Sequence, residues 1–428
     1  MITQLKIENY KSIQDLTLDV GRVNVLIGEN GCGKSNILEA ITLAAAAEAN
    51  KLDNEFLINR GIRVTEPQLM RSAFEKKEQS DIKIALTSNG CNKLEPYTLK
   101  NDNKVYSKWE YYERSKQEEY WKEERKAMGL WMTKNQELLF SKTSEQNSQN
   151  SYFDNYESDN QEDMESDEFY DEELTKNNFK SFIIYSPENT ALRDFSKEAS
   201  IEPLGDKGGG LLKLLIVTQH ESKESEDFKE LNDIQETLEL FGWFDTIKIP
   251  DDFSLLEKKI TIKDRYLEMP FDQRSANEGF LLVLFYITLV VSKYTPKIFA
   301  IDNIDTSLNP KLCSKLIEEL ARLAKKYDKQ IFLTSHNPAI LDGIDLGDEE
   351  GQRLFVVSRN REGRTRCKRI TIENKPKSSI RDRLSRVLNE NENYTKQDVL
   401  ALFDNSKEPV KLSEAFLRGY LGGLPKGF

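Results

Sequence analysis

Eight consecutive residues, Gly28, Glu29, Asn30, Gly31, Cys32, Gly33, Lys34 and Ser35, fit the pattern G-x-x-x-x-G-K-[ST] at every position. Residues 23–27 before them are short and apolar enough for a buried strand, and residues 36–41 after them carry apolar side chains at helical spacing. In the order strand, glycine loop, helix, successive backbone N–H groups can face one anion, and the helix N-terminus adds partial positive charge. Lys34 would reach the β- and γ-phosphates, and the Ser35 hydroxyl would ligate Mg²⁺. A glycine turn ahead of an ordinary helix is the plain alternative, and the flanking pattern counts against it. The stretch reads as a nucleoside triphosphate site, with Gly28, Asn30, Gly31, Gly33, Lys34, Ser35 and Asn36 around the phosphates.

At 428 residues with 38% hydrophobic composition, the chain has material for a substantial core, in two or three domains or one core with a large insertion. No apolar run approaches the roughly 18 residues of a membrane span, so no membrane partner is expected. Four cysteines without C-x-x-C spacing suit a reducing cytoplasm and no thiol metal site. The net charge of −12 belongs to one place: residues 143–175 hold twelve Asp or Glu and no Lys or Arg. The remainder is balanced, so global acidity does not exclude nucleic acid.

Residues 2–8 and 16–20 alternate like edge strands, with Lys11 and Ser12 between them lying either over the phosphates or base or in a surface turn. Residues 107–128 are charged and aromatic, consistent with helix, and 141–178 offer little to bury and read as a disordered insertion. Order is expected again at a strand over 179–185. Strand–helix alternation through 298–334 implies an α/β sheet. The resulting division is 1–96 for the N-terminal part of a nucleotide-binding head, 97–178 for a helical then acidic insertion, 179–345 for the rest of the head, and 346–428 for a strand–helix extension.

The buried run 298–301 ends on Asp302, the place for a carboxylate that holds Mg²⁺ opposite Ser35. His336 ends the next predicted strand, at the edge where open α/β sheets bind ligands, and is assigned a γ-phosphate contact. His220, the other histidine, lies in a helix-like stretch and reads as structural.

Together these motifs resemble the ABC-type heads of SMC-like, RecF-like and OLD-like ATPases, an AAA-family group found in bacterial anti-phage defence. The resemblance implies an α/β ABC-type P-loop head with a helical and disordered insertion, with ATP and Mg²⁺ as cofactors. It places Walker A on residues 28–35, the signature acting in trans on Asn277, Glu278 and Gly279, Walker B on 298–302, a D-loop on 308–310 and a switch histidine on His336. The tail 412–425 is similar to a terminus found in Septu-type defence ATPases, which work with an HNH nuclease. Two departures stand out. Ala276 occupies the place of the signature serine, although Ser275 is one residue away. Asn303 occupies the place of the glutamate that polarises the attacking water, and an amide cannot accept a proton; losing a general base typically costs about 10²–10⁴ in rate. Asn303 is therefore a degenerate catalytic position, expected to leave ATP binding intact and hydrolysis slow. The resemblance implies a regulatory or sensor subunit that controls an effector nuclease, assembled through its heads as a homodimer or higher oligomer. A stand-alone RecF- or SMC-like DNA-repair or DNA-tethering ATPase is the alternative, which leaves nucleic acid open as a partner.

Overall fold

Strand β3 (Val23–Ile27) is buried at every position, and its alternation divides the interior in two. Val23, Val25 and Ile27 join one apolar core and Leu26 joins the other. The neighbouring parallel strands divide in the same way. In β12 (Gln330–Ser335), Ile331 and Leu333 face the first core and Phe332 the second; in β13 (Gln352–Arg359), Leu354 and Val356 oppose Phe355 and Val357. This two-sided burial makes the segments near-continuous apolar runs, as in sheets covered on both faces.

The computed structural model describes residues 1–74, 80–88, 96–104, 107–112, 178–196, 199–225, 229–251, 259–348, 350–371, 411–417 and 421. The acidic stretch 143–175, most of 107–128 and most of the tail after 417 lie outside the described residues. The six-stranded sheet has the order β14-β13-β3-β12-β11-β7, with β14 (Thr365–Ile370), β11 (Ile298–Ile301) and β7 (Ile184–Tyr185). Only β14 runs antiparallel to its neighbour. An antiparallel sheet lies on the side of the second core, in the order β2-β1-β4-β5-β6: β1 (Ile2–Tyr10), β2 (Ile13–Asp19), β4 (Ile82–Ser88), β5 (Tyr97–Lys100) and β6 (Glu110–Tyr112). A small third sheet joins β8 (Phe244–Lys248), β9 (Thr261–Asp264) and β10 (Phe271–Asp272).

Helix α1 (Lys34–Glu48) packs in the second core. It is buried nearly all round, as a helix enclosed on its sides must be, and four successive alanines, Ala44 to Ala47, let the backbones come close. The short helices α2 (Asn54–Asn59) and α3 (Pro67–Met70) follow it, and α4 (Asn189–Arg193) follows β7. The first core takes α5 (Leu211–Ser225), α6 (Lys229–Leu238), α7 (Glu278–Val291) and α8 (Pro310–Lys326). Helix α7 is apolar around its whole circumference and buried accordingly. Helix α8 is amphipathic: Leu312, Leu316, Leu320 and Leu323 face inward, and Asn309 caps its first turn by accepting from the Leu312 N–H at 2.9 Å. A 3₁₀ turn (Pro338–Gly343) and α9 (Leu412–Leu417) complete the described elements.

Three expectations need correction. Residues 2–8, read as an edge strand, form β1 in the interior of its sheet, between β2 and β4. Residues 107–128, read as helix, include the strand β6, which pairs with β5. The strand predicted over 179–185 forms only at Ile184–Tyr185. Phe182 instead closes a turn through its N–H to the Phe179 carbonyl at 2.9 Å, and both rings are buried in the second core. An apolar run of this length can pack by closing a turn as well as by pairing. Among the described residues, no helix is long and apolar enough to cross a membrane.

Candidate functional site

Parallel pairing brings the C-terminal ends of β3, β12 and β11 side by side, with β12 in the middle. The loop at residues 28–35, His336 and Asp302 leave the sheet from these three ends, the edge at which α/β sheets bind ligands. Two glycines are required by contact. A Cβ on Gly28 would meet the Val357 carbonyl at 2.1 Å, and one on Gly33, where φ is +109°, would meet Thr365 Oγ1 at 2.2 Å. The loop is thus pressed against the β13–β14 hairpin from its first residue to the start of α1.

Lys34 is buried, and its ammonium donates back to the carbonyls of Gly28 at 2.7 Å and Glu29 at 2.9 Å. It sits in the hollow of the loop, so an anion there meets a cation already desolvated. Ser35 Oγ lies 3.0 Å from Asp302 Oδ2 and 3.2 Å from Oδ1. A hydroxyl and a carboxylate facing each other are the hard oxygen donors that Mg²⁺ takes, so these two residues fit the metal expected of the family. Thr334 Oγ1 donates to Asp302 and accepts from the Asn303 N–H at 2.9 Å, which fixes the end of β11 against β12. Asn303 itself is exposed, with φ at +56°. Asn30 and Gly31 form the exposed crest of the loop.

Asn36 leads to residues that sequence reasoning did not assign. Its side chain donates to Ser12 Oγ at 2.7 Å and accepts from Arg63 at 3.1 Å. Arg63 and Lys11 each reach the Glu39 carboxylate at 2.5 Å, and the Tyr10 hydroxyl donates to it at 3.1 Å. Glu39 is buried on α1, so three donors surround one carboxylate beneath the loop. Burial, followed by the Glu39 charge, holds the Tyr10 phenol well above its ordinary value and keeps it a donor. Burial lowers the Lys11 ammonium from its ordinary value while Glu39 opposes that shift. Lys11 therefore belongs to this network, and Ser12 bonds Thr365 and Asn36 rather than lying in a free surface turn.

The outer side of the loop is held by the hairpin. Thr365 Oγ1 donates to the Cys32 carbonyl at 2.9 Å, the Thr365 N–H donates to the Ser12 carbonyl at 2.8 Å, and Arg359 Nε donates to the Gly31 carbonyl at 2.8 Å. No local pattern announces Thr365 or Arg359, because strand pairing alone brings them to the loop.

Asn277, Glu278 and Gly279 begin α7, with Asn277 Oδ1 accepting from the Phe280 N–H at 2.8 Å as a helix cap. Gly279 is buried against the loop after β11: a Cβ there would meet the Ser307 carbonyl at 2.9 Å. Gly279 thus abuts residues 307–308. His336 follows β12 with its side chain 55% exposed, and its Nδ1 is 3.5 Å from Asp305 Oδ2. His220 sits on α5 with its ring against the Asp251 carbonyl. Among the described residues, no group of three or more His, Cys, Asp or Glu is arranged to hold a metal ion.

Comparison with known proteins agrees with this geometry. Residues 23–342 match the family described as "AAA domain, putative AbiEii toxin, Type IV TA system". The DNA replication and repair protein RecF of Bacillus cytotoxicus is 40% identical over 55 residues, covering 13% of this chain and 15% of that protein. RecF of Staphylococcus epidermidis is 42% identical over 55 residues, with the same coverage. The chain therefore matches only about one seventh of the length of these curated relatives. A crystal structure of the Smc head bound to the C-winged helix domain of ScpA superposes with a TM-score of 0.50 at 13% identity, covering 88% of this chain and 99% of that one. At that identity the likeness concerns the fold. The family match spans most of the chain, and the chain belongs to this AAA-domain family, with an ABC-type ATPase fold of the RecF- and SMC-like class.

Proposed function

We propose that this chain is an ATP-binding regulatory subunit of a bacterial anti-phage complex, a PtuA-like ATPase of the Septu type, which controls an effector nuclease of the HNH kind. ATP with Mg²⁺ binds residues 28–36 and Asp302, and the signature at Asn277, Glu278 and Gly279 of a second copy closes over the γ-phosphate. Nucleotide then stabilises the paired state that binds it. The observation that carries the reading is the combination at the end of β11: an Asp302 carboxylate 3.0 Å from the Ser35 hydroxyl, followed by an amide at Asn303. That pairing suits holding nucleotide more than turning it over. The head would extend beyond 1–96 and 179–345, because β5 and β6 pair in its antiparallel sheet and β13 lies beside β3 in its six-stranded one.

Lys34→Ala tests the reading. Losing a hydrogen bond between charged groups costs about 1.5–3 kcal/mol, or roughly 10–150-fold in affinity. Titration with ATP should show that loss, and cells carrying the chain with its neighbouring genes should lose protection against phage. Unchanged ATP affinity would overturn the assignment. Full protection without ATP binding would remove the regulatory role.

A second reading, a DNA-tethering ATPase like the repair relatives, has one observation in its favour. Arg359, Arg361, Arg366 and Lys368 are exposed on the β13–β14 hairpin beside the phosphate loop. Duplex-stimulated turnover that weakens steeply with salt would favour it.

A further inference from the structure

The loop after β11 contains a carboxylate with no role in the site so far described. The Asp305 side chain is 3% exposed, Oδ1 is buried with no hydrogen-bond partner, and Oδ2 lies 3.5 Å from Nδ1 of His336. Near it are the Tyr286 phenol and the Cys313 thiol, each kept from ionising first by burial and then by the Asp305 charge. His336 is a basic side chain within its reach. A 3.5 Å separation is an ion-pair distance that a small ring rotation converts to a hydrogen bond.

A carboxylate facing Nδ1 selects the tautomer with the proton on Nδ1 and leaves the Nε2 lone pair free. Ser335 is in register with Ile27, so His336 leaves β12 level with Gly28 at the mouth of the phosphate loop. At Asn303 the side chain is an amide, which cannot take a proton. The two observations come from different strands and point to one step. We propose that His336 is the general base of the residual ATP hydrolysis and that Asp305 is its positioning residue, together taking the place of the missing carboxylate at 303.

The inference rests on the ATP-binding reading of the site. In the step, the O–H bond of water breaks, its proton passes to Nε2, and its oxygen bonds to the γ-phosphorus. The bond from that phosphorus to the β–γ bridging oxygen breaks, and the electron pair leaves with ADP. Phosphate and ADP are released, Asp305 balances the imidazolium, and the proton returns to solvent.

The chain has two histidines, so ¹⁵N-histidine labelling gives two ring systems, assigned with His220→Gln. At a pH where both rings are neutral, the expected signature is an Nδ1–H tautomer for His336, lost in Asp305→Asn. An Nε2–H tautomer in the wild-type chain overturns the proposal without any variant. In single-turnover assays Asp305→Asn should slow hydrolysis about 10–100-fold, within the range of a general base, at unchanged ATP affinity. The effect should shrink several-fold in an Asn303→Glu background, where a glutamate takes the proton. An equal loss in both backgrounds overturns the proposal, as does a wild type that binds ATP and never hydrolyses it. Failure of the underlying reading looks different: ATP fails to bind, or binds independently of Lys34, while the tautomer is unaffected.

Discussion

Asn303 answers to two demands at once. Its φ of +56° lies in the left-handed region, and its N–H and carbonyl are tied to Thr334 and Thr306. Asparagine enters that region more readily than glutamate does. The backbone therefore favours the amide that the chemistry would reject. Asn303→Glu should strain the turn by about 1–2 kcal/mol and raise single-turnover hydrolysis by about ten-fold or more, as a restored base would. Under the proposed reading, in which retained ATP is the signal, the faster variant should regulate less well. An unchanged rate would mean that the side chain at 303 never meets the attacking water. At this scale the phosphate loop was legible because its chemistry is contiguous in sequence, and Asp302 and His336 because each ends an apolar run. Arg63, Arg359 and Thr365 were not legible, because only tertiary pairing brings them to the loop.

Elements hold the site through a few buried polar clamps between them. Gln330, at the start of β12, donates from Nε2 to the carbonyls of Ile2 and Gly21 at 2.7 Å and accepts the Ile2 N–H at 2.9 Å. One amide thus ties the first strand of the antiparallel sheet to the middle of the parallel one. Gln330→Leu keeps the apolar bulk and leaves the Ile2 carbonyl and N–H without that partner, while the Gly21 carbonyl keeps the Asn24 amide at 2.8 Å. With about 1–3 kcal/mol for each unsatisfied group and some relaxation, we expect a loss of roughly 2–4 kcal/mol. Urea denaturation should show it as a lower midpoint at unchanged slope. A midpoint within error of wild type would mean that other contacts join the sheets. Burial on both faces made β3, β11 and β12 readable, since their apolar runs are continuous. The run at 179–185 has the same appearance and folds mostly as a turn, because its phenylalanines fill the second core from outside the sheet.

Across the whole molecule, the start of α7 and the loop after β11 are in contact. Gly279, in the first turn of α7, packs on Ser307 and Leu308, the same loop carries Asp305, and Asp305 faces His336. A second copy pressing on the exposed Asn277 would therefore load the loop that contacts His336. This also dictates how assembly should be probed. An arginine at Gly279 would collide with the Ser307 carbonyl and disturb the fold, and replacing Asn277 would remove a helix cap. Ser275 is exposed and precedes both. Ser275→Arg should leave ATP binding by the monomer nearly intact and place a bulky cation where the partner's nucleotide closes. At ligand one hundred times above its Kd, nucleotide linkage supplies about 2.7 kcal/mol to the state that binds it, enough to move a weak dimer into view. Sedimentation velocity with ATP should show wild-type dimer and mutant monomer, both monomeric without nucleotide. If the mutant dimerises as well as wild type, assembly uses another surface, and the signature assignment to Asn277, Glu278 and Gly279 fails with it.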